Sequence, residues 1–233
     1  MKILKKFSSG IFFKLTYYFF NQFSLNINFY KTKILKKYQT NICIRKNTLK
    51  NKLRSCDNKK IVVGAGGILY SGWLSTDQDI LNLTVEKDWK KLFKPESLDA
   101  ILAEHVWEHL TSEQAIIASS FCFKYLKNNG YLRIAVPDGY HPNKNYIDWV
   151  KPRGIGPGSE DHKKLYTYKT ISNLFLSVGF KVLLYEYYDE NGVFHEIPWN
   201  PDDGIIRRSK KFDNRNADGI INYTSIILDA RKP

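Results

Sequence analysis

Hydrophobic positions follow two rhythms, one on each side of residue 59. Over 3–20 they recur at steps of four or three. Ile3, Phe7, Ile11, Leu15 and Tyr18 form one stripe, the spacing of a helix. Lys2, Lys5 and Lys6 take the opposite side, Phe12, Phe13 and Phe20 blur the edge, and Lys14 interrupts the stripe, which is expected to stop at Asn21-Gln22. From Lys59, short apolar runs bounded by Gly, Pro, Asn and Asp alternate with helical spacing. The runs predict strands at 61–63, 72–77, 98–104, 131–136, 181–188 and 223–230. A capping box at Thr111-Ser112-Glu113-Gln114 opens a helix with Ala118, Phe121, Cys122 and Tyr125 on one face, ending at Asn128-Asn129-Gly130. A shorter helix spans 170–178 and stops at Gly179, while 138–160, rich in Gly and Pro, reads as a loop. Strands alternating with helices imply an α/β fold with a mostly parallel sheet and antiparallel late strands.

Charge sharpens this division. The 233 residues carry a formal net charge of +13, yet residues 1–60 hold 15 Lys/Arg against one acid, Asp57, and the rest is close to neutral. The organisation expected is a basic, aromatic-rich extension over 1–58 and one domain over 59–233. A nucleic-acid enzyme would more often spread positive charge around its cleft, so the split lowers that reading. No stretch of about 18 uncharged apolar residues exists to span a membrane, and a secretory signal is argued against by Lys14. The extension is either an interfacial helix meeting anionic lipid at the inner face of a membrane or a helix packed on the domain. A mitochondrial presequence is disfavoured because no Arg precedes Arg45. Cys43, Cys56 and Cys122 show no metal or disulfide spacing, and a reducing, cytoplasmic setting follows.

Ligands of open α/β sheets bind beyond the carboxyl ends of the strands. Four such ends carry informative residues: Gly64-Ala65-Gly66-Gly67, Asp77, Glu104-His105 and Pro137-Asp138. Glycines allow close backbone approach, and an acid after the second strand can accept both hydroxyls of a ribose. The turn lacks the third spaced glycine of G-x-G-x-x-G. The short connection 65–72 also leaves no room for a crossover helix to hold a pyrophosphate. This favours S-adenosyl-L-methionine over a nicotinamide dinucleotide.

The series KIVVGAGGILYSGWLSTD, LDAILAEHVWEHLT, YLKNNGYLRIAVPDG, DHKKLYTY and YTSIILDARKP, over about 59–233, resembles the class I S-adenosylmethionine-dependent methyltransferases. It is closest to a bacterial-type branch found among surface-polysaccharide and glycosyltransferase genes. The resemblance implies a Rossmann-like sheet of seven strands with the last antiparallel. Gly64, Ala65, Gly66 and Gly67 would line the methionine part, Asp77 would hold the ribose, and Glu104 and His105 would stand beside the methyl-transfer site. It also implies an enzyme methylating a hydroxyl of a small-molecule, carbohydrate or glycoconjugate acceptor. The acid that often contacts adenine has only Asn82 as a counterpart, flanked by Asp79 and Asp88. Two alternatives remain: a methyltransferase-like binding or scaffold protein without turnover, and a nucleic-acid methyltransferase using the basic extension.

Methyl transfer to a hydroxyl needs a positioned acceptor and a place for its proton, for which His105, His162 and Asp138 are the candidates, with His141 on the same side. His105-Val106-Trp107-Glu108-His109 spells H-x-x-E-H, a zinc pattern when both histidines share a helix face. Here it follows a strand directly, so no metal is expected, and Glu108 and His109 are read as braces of a loop. His195-Glu196 and Arg207, Arg208, Lys210 and Lys211 read as a solvated insertion, and Trp73, Trp107 and Trp149 as structural.

Overall fold

The computed structural model describes residues 8–216 and 219–233, with side chains from residue 31 onward except at 38. It divides into two compact units, one ending at Thr48 and the other running from Leu49 to Pro233. The helix α1, Ser8–Ser55, accounts for the first unit, and its last turns, with Leu49 and Leu53 buried, belong to the second. Lys2, Ile3, Lys5, Lys6 and Phe7 lie outside the described residues, whereas Ile11, Leu15 and Tyr18 fall on α1. The expected stop at Asn21-Gln22 does not occur. Asn costs a helix well under 1 kcal/mol, and no Gly or Pro stands between Gly10 and Gly64 to end it. Among the described residues no helix is long and apolar enough to cross a membrane.

The second unit is an α/β sandwich. Its strands are β1 (Lys60–Val63), β2 (Leu74–Ser75), β3 (Leu98–Glu104), β4 (Leu126–Pro137), β5 (Lys181–Tyr188), β6 (Phe194–Glu196) and β7 (Ser225–Arg231). They form one seven-stranded sheet in the order β2-β1-β3-β4-β7-β5-β6. The run β2-β1-β3-β4 is parallel, β7 lies antiparallel between β4 and β5, and β6 is antiparallel to β5. The Rossmann-like, mostly parallel sheet expected from the sequence is therefore present, with its last strand antiparallel. β1 and β3 are buried almost throughout, as strands covered on both faces must be.

Helices α2 (Glu86–Leu92), α3 (Ser112–Tyr125), α4 (Lys144–Val150) and α5 (Tyr168–Val178) complete the unit. α3 opens with the expected capping box: the Gln114 N–H donates to the Thr111 hydroxyl and the Thr111 N–H donates to Gln114 Oε1. α3 ends at Tyr125, short of Asn128-Asn129-Gly130, because Leu126 is extended, fully buried and paired with Leu98 of β3. Burying Leu126 in the sheet outweighs continuing the helix. α5 ends as expected at Gly179, whose φ of 105° supplies the left-handed cap. The stretch 138–160 is not all loop: Asn143 caps α4, and Tyr146 and Val150, four residues apart, bury against Tyr223. β2 has two residues where six were expected, and β6 was not expected.

The two faces of the sheet are covered differently. One carries α3 and α5, with ring contacts Trp107–Phe175 and Phe175–Phe180. Against the other, Val62, Leu102, Ala135 and Ile227 pack with Tyr70, Trp73 and Ile206. That second layer draws on the irregular segment between β6 and β7. Arg133 of β4 ties it down: its Nε and Nη2 donate to Asp229 at 2.8 and 3.2 Å, and its Nη1 donates to the carbonyls of Asn200 and Gly204.

Candidate active site at the carboxyl ends of the strands

β1 breaks at Gly64 because only glycine takes the next bends without strain. Gly64, Gly66 and Gly67 have φ of 62°, 59° and 78°. A Cβ on Gly64 would stand 2.6 Å from Val106 Cγ2, so this glycine also lets the β3 loop approach. A Cβ on Gly66 or Gly67 would meet nothing within 4 Å, so the bend offers bare backbone to open space. Asp77 belongs to the same bend: its Oδ1 accepts the Gly66 N–H at 2.7 Å. Ala65 is buried and donates to the Thr76 carbonyl, joining the ends of β1 and β2.

Two cavities flank this point and share Gly64, His105 and His109. The larger, about 610 Å³, is lined by the glycine bend together with Arg207, Arg208, Asp213 and His162. The second, about 400 Å³, lies between Leu81, Leu83, Val106 and Leu110, with Gln78 and Asn82 at its polar edge. Asp77 lines neither cavity. Its hydrogen-bond partner Gly66 borders the first and its neighbour Gln78 the second.

Glu104 reaches the first cavity, but its carboxylate is occupied by protein. It accepts the backbone N–H groups of Arg208 and Arg207 at 2.8 and 3.3 Å and the Tyr70 hydroxyl at 3.4 Å. Burial, then Glu104, pushes the Tyr70 phenol up to about 12, so it remains a donor. Glu104 thereby holds the insertion over the cavity, and Arg207 and Arg208 form its wall instead of a solvated loop. No sequence signal marks this, because both donors are backbone amides more than a hundred residues away.

His105 has φ of 57°, and its ring is fixed at both nitrogens: Nδ1 lies 3.0 Å from Glu108 Oε1 and Nε2 2.9 Å from the buried Ser225 hydroxyl. Residues 107–109 form a single 3-10 turn, so the i, i+4 helical pairing assumed by a zinc motif is absent. His162, which follows α4 in the chain, joins this corner with its ring centroid 4.7 Å from that of His109. Its Nδ1 lies 2.6 Å from the Val150 carbonyl and therefore carries the proton, leaving Nε2 with the lone pair. Burial holds its pKa below the usual histidine range. Glu108 is completely buried among these rings. Burial pushes its carboxyl up and the charge of His105 pulls it down, with a net position below the ordinary range. Its Oε1 meets His105 Nδ1 at 3.0 Å, and beyond that contact neither Glu108 oxygen has a side-chain partner among the described residues.

Two candidates lie elsewhere. Asp138 is fully buried and lines neither cavity; its oxygens accept the N–H groups of Tyr140 and Tyr188 at 2.9 and 2.6 Å. The carboxylate pins β4 to β5 and cannot reach an acceptor. His141 stacks on Tyr146 with ring centroids 4.0 Å apart, and burial pushes it down to about 4. His195 pairs with Asp189 at 2.8 Å, outside both cavities.

No family model matches the chain, and no curated protein matches it. Among solved structures it is similar to a SAM-dependent methyltransferase from Archaeoglobus fulgidus, at 20% identity, covering 80% of this chain and 94% of that one with a TM-score of 0.45. It is also similar to a SAM-dependent methyltransferase, possibly a histamine N-methyltransferase, from Thermotoga maritima, at 11% identity, 86% and 97% coverage and a TM-score of 0.45. A third, a SAM-dependent methyltransferase from Methanosarcina mazei, shows 11% identity, 76% and 93% coverage and a TM-score of 0.44.

Proposed function

We propose that the chain is an S-adenosylmethionine-dependent methyltransferase acting on a hydroxyl of a carbohydrate or glycoconjugate. The observation that carries this reading is the bare backbone bend at Gly66 and Gly67, tied through Gly66 to the Asp77 carboxylate. Gly64–Gly67 would hold the methionine part, Asp77 the ribose diol, and the apolar slot of Leu81, Leu83, Val106 and Leu110 the base, with Asn82 at its edge. Bound there, the cofactor supplies a methyl group on a sulfonium whose thioether is already a good leaving group. The protein's own task is then to hold the acceptor hydroxyl in line and receive its hydrogen. The larger cavity suits a hydroxyl-rich or anionic acceptor, because Arg207, Arg208 and Asp213 give it a charged, hydrogen-bonding wall. His162 presents its Nε2 lone pair there, neutral at pH 7 because burial keeps its pKa low. His105, fixed by Glu108 and Ser225, shapes the floor.

Calorimetry with S-adenosylhomocysteine tests the site. Asp77→Ala should weaken binding at least about 10-fold, as expected for losing a charge-assisted pair of hydrogen bonds. Equal affinity in the two proteins would remove the ribose assignment.

The basic segment 1–58 supports a location at an anionic membrane on its cytoplasmic side, since Ile34, Leu35 and Ile44 are exposed among its lysines and arginines. Replacing Lys31, Lys33, Lys36 and Lys37 by Ala should lower sedimentation with phosphatidylserine vesicles; an unchanged bound fraction would refute that placement.

A further inference from the structure

The corner where Glu108, His109 and His162 meet is not accounted for by cofactor binding. One ligand-type atom from each residue lies within 4.8 Å of the other two. A closed tetrahedral zinc site would bring such atoms to roughly 3.4 Å, a change that side-chain rotation can supply. Two further features match what a metal needs. Both Glu108 oxygens are buried, and the single His105 Nδ1 contact at 3.0 Å leaves most of their accepting capacity unfilled, although an under-satisfied buried carboxylate is costly. The Val150 carbonyl fixes the His162 tautomer so that Nε2 is free to coordinate, the outer-shell arrangement typical of metal-bound histidine. Asp161 repeats the theme more weakly, with Oδ2 3.5 Å from His109 Nδ1.

We propose that Glu108, His109 and His162 form a binding site for one divalent transition metal of the zinc class, with its fourth position open to the larger cavity. Two imidazoles and a carboxylate are the donor set of a catalytic site that keeps an exchangeable position. His109 and His162 both line that cavity, so the open position faces the acceptor space. The H-x-x-E-H spacing is not the basis of the proposal, because His105 is turned to Ser225 and His162 takes its place. A metal-bound Nε2 has no lone pair left for the acceptor's proton, so the two roles of His162 exclude one another. The role of the open position toward an acceptor rests on the methyltransferase reading, and metal binding itself does not.

The test uses the full chain, stripped with a chelator and titrated with Co²⁺ while visible d–d absorption is followed, then with Zn²⁺ in competition. One equivalent should bind with the intensity of a four- or five-coordinate centre. His162→Ala and Glu108→Gln should bind at least about 100-fold more weakly, whereas His141→Ala, at a buried histidine outside the cluster, should bind as wild type does. His109→Ala, at a partly exposed position, guards against a folding artefact and should also lose affinity. Absence of the bands in the folded wild type, or unchanged affinity in His109→Ala and Glu108→Gln, would overturn the site. Parallel calorimetry with S-adenosylhomocysteine separates the two readings: nucleoside binding without Co²⁺ binding removes the metal alone, and the reverse removes the methyltransferase alone.

Discussion

Glu104 and Glu108 leave the same six-residue block and end in opposite circumstances. Glu104 lies under the segment between β6 and β7 and accepts two backbone N–H groups and a phenol. Glu108, one turn later, is more deeply buried and has the His105 Nδ1 contact at 3.0 Å as its one close polar neighbour among the described side chains. Position in the motif does not separate them; saturation by donors does. A buried carboxylate filled by backbone donors builds architecture, whereas one left with a single imidazole contact keeps lone pairs for a ligand.

The strongest test of the saturated side is Arg133, which spans the same insertion from below. With Asp229 it forms a fully buried pair reinforced by the Tyr185 hydroxyl at 2.9 Å. Arg133→Met should destabilise by about 3 kcal/mol or more, because the buried Asp229 keeps the Tyr185 hydroxyl but has only the partly exposed Arg231 as a cation. The double variant Arg133→Met with Asp229→Leu should recover most of this loss in urea denaturation. If the double variant is no better than the single one, the cost lies in packing and not in charge.

Asp138 is an intermediate case: two backbone donors and no cation. Burial outweighs the two bonds and pushes its carboxyl up to about 6 from an ordinary 3.8. Protonation is then favoured in the folded state, so the contribution to stability is fully present below pH 4 and lost as pH rises through 6. The two-unit difference corresponds to about 3 kcal/mol. Asp138→Asn stays neutral throughout. Wild-type stability measured against this variant should therefore fall by that amount between pH 4 and 7, and a pH-independent difference would contradict the assignment.

Much of the sheet was legible because its signals are local. β3 and β5 are bounded where apolar runs meet charge or turn residues, the Thr111 capping box lies within four residues, and the glycine bend with Asp77 lies within fourteen. Local signals failed where a distant partner decided the outcome. Leu126 leaves α3 to pair with Leu98, and α4 forms because Tyr146 and Val150 find Tyr223. The site divides the same way. Asp138 reads like a catalytic acid until β5 places the Tyr188 N–H on it, and nothing in the spacing of 105–109 announces that His162 will fold against it.

The smallest effect decides the comparison most directly. Glu104→Gln keeps the shape but turns one accepting oxygen into a donor facing the N–H of Arg207 or Arg208. One buried donor is left unpaired, at about 1–3 kcal/mol, and amide exchange should quicken over 205–208. Glu108→Gln keeps an amide oxygen for His105 Nδ1 and removes a buried charge whose burial cost opposes its attraction to His105, so it should change stability by less than about 1 kcal/mol in the metal-free protein. The two substitutions are identical in chemistry and close in sequence, so side-chain volume and helix propensity cancel between them. A cost at Glu108 equal to that at Glu104 would mean that His105 alone saturates it, and the distinction between an architectural and a ligand-ready carboxylate would fail.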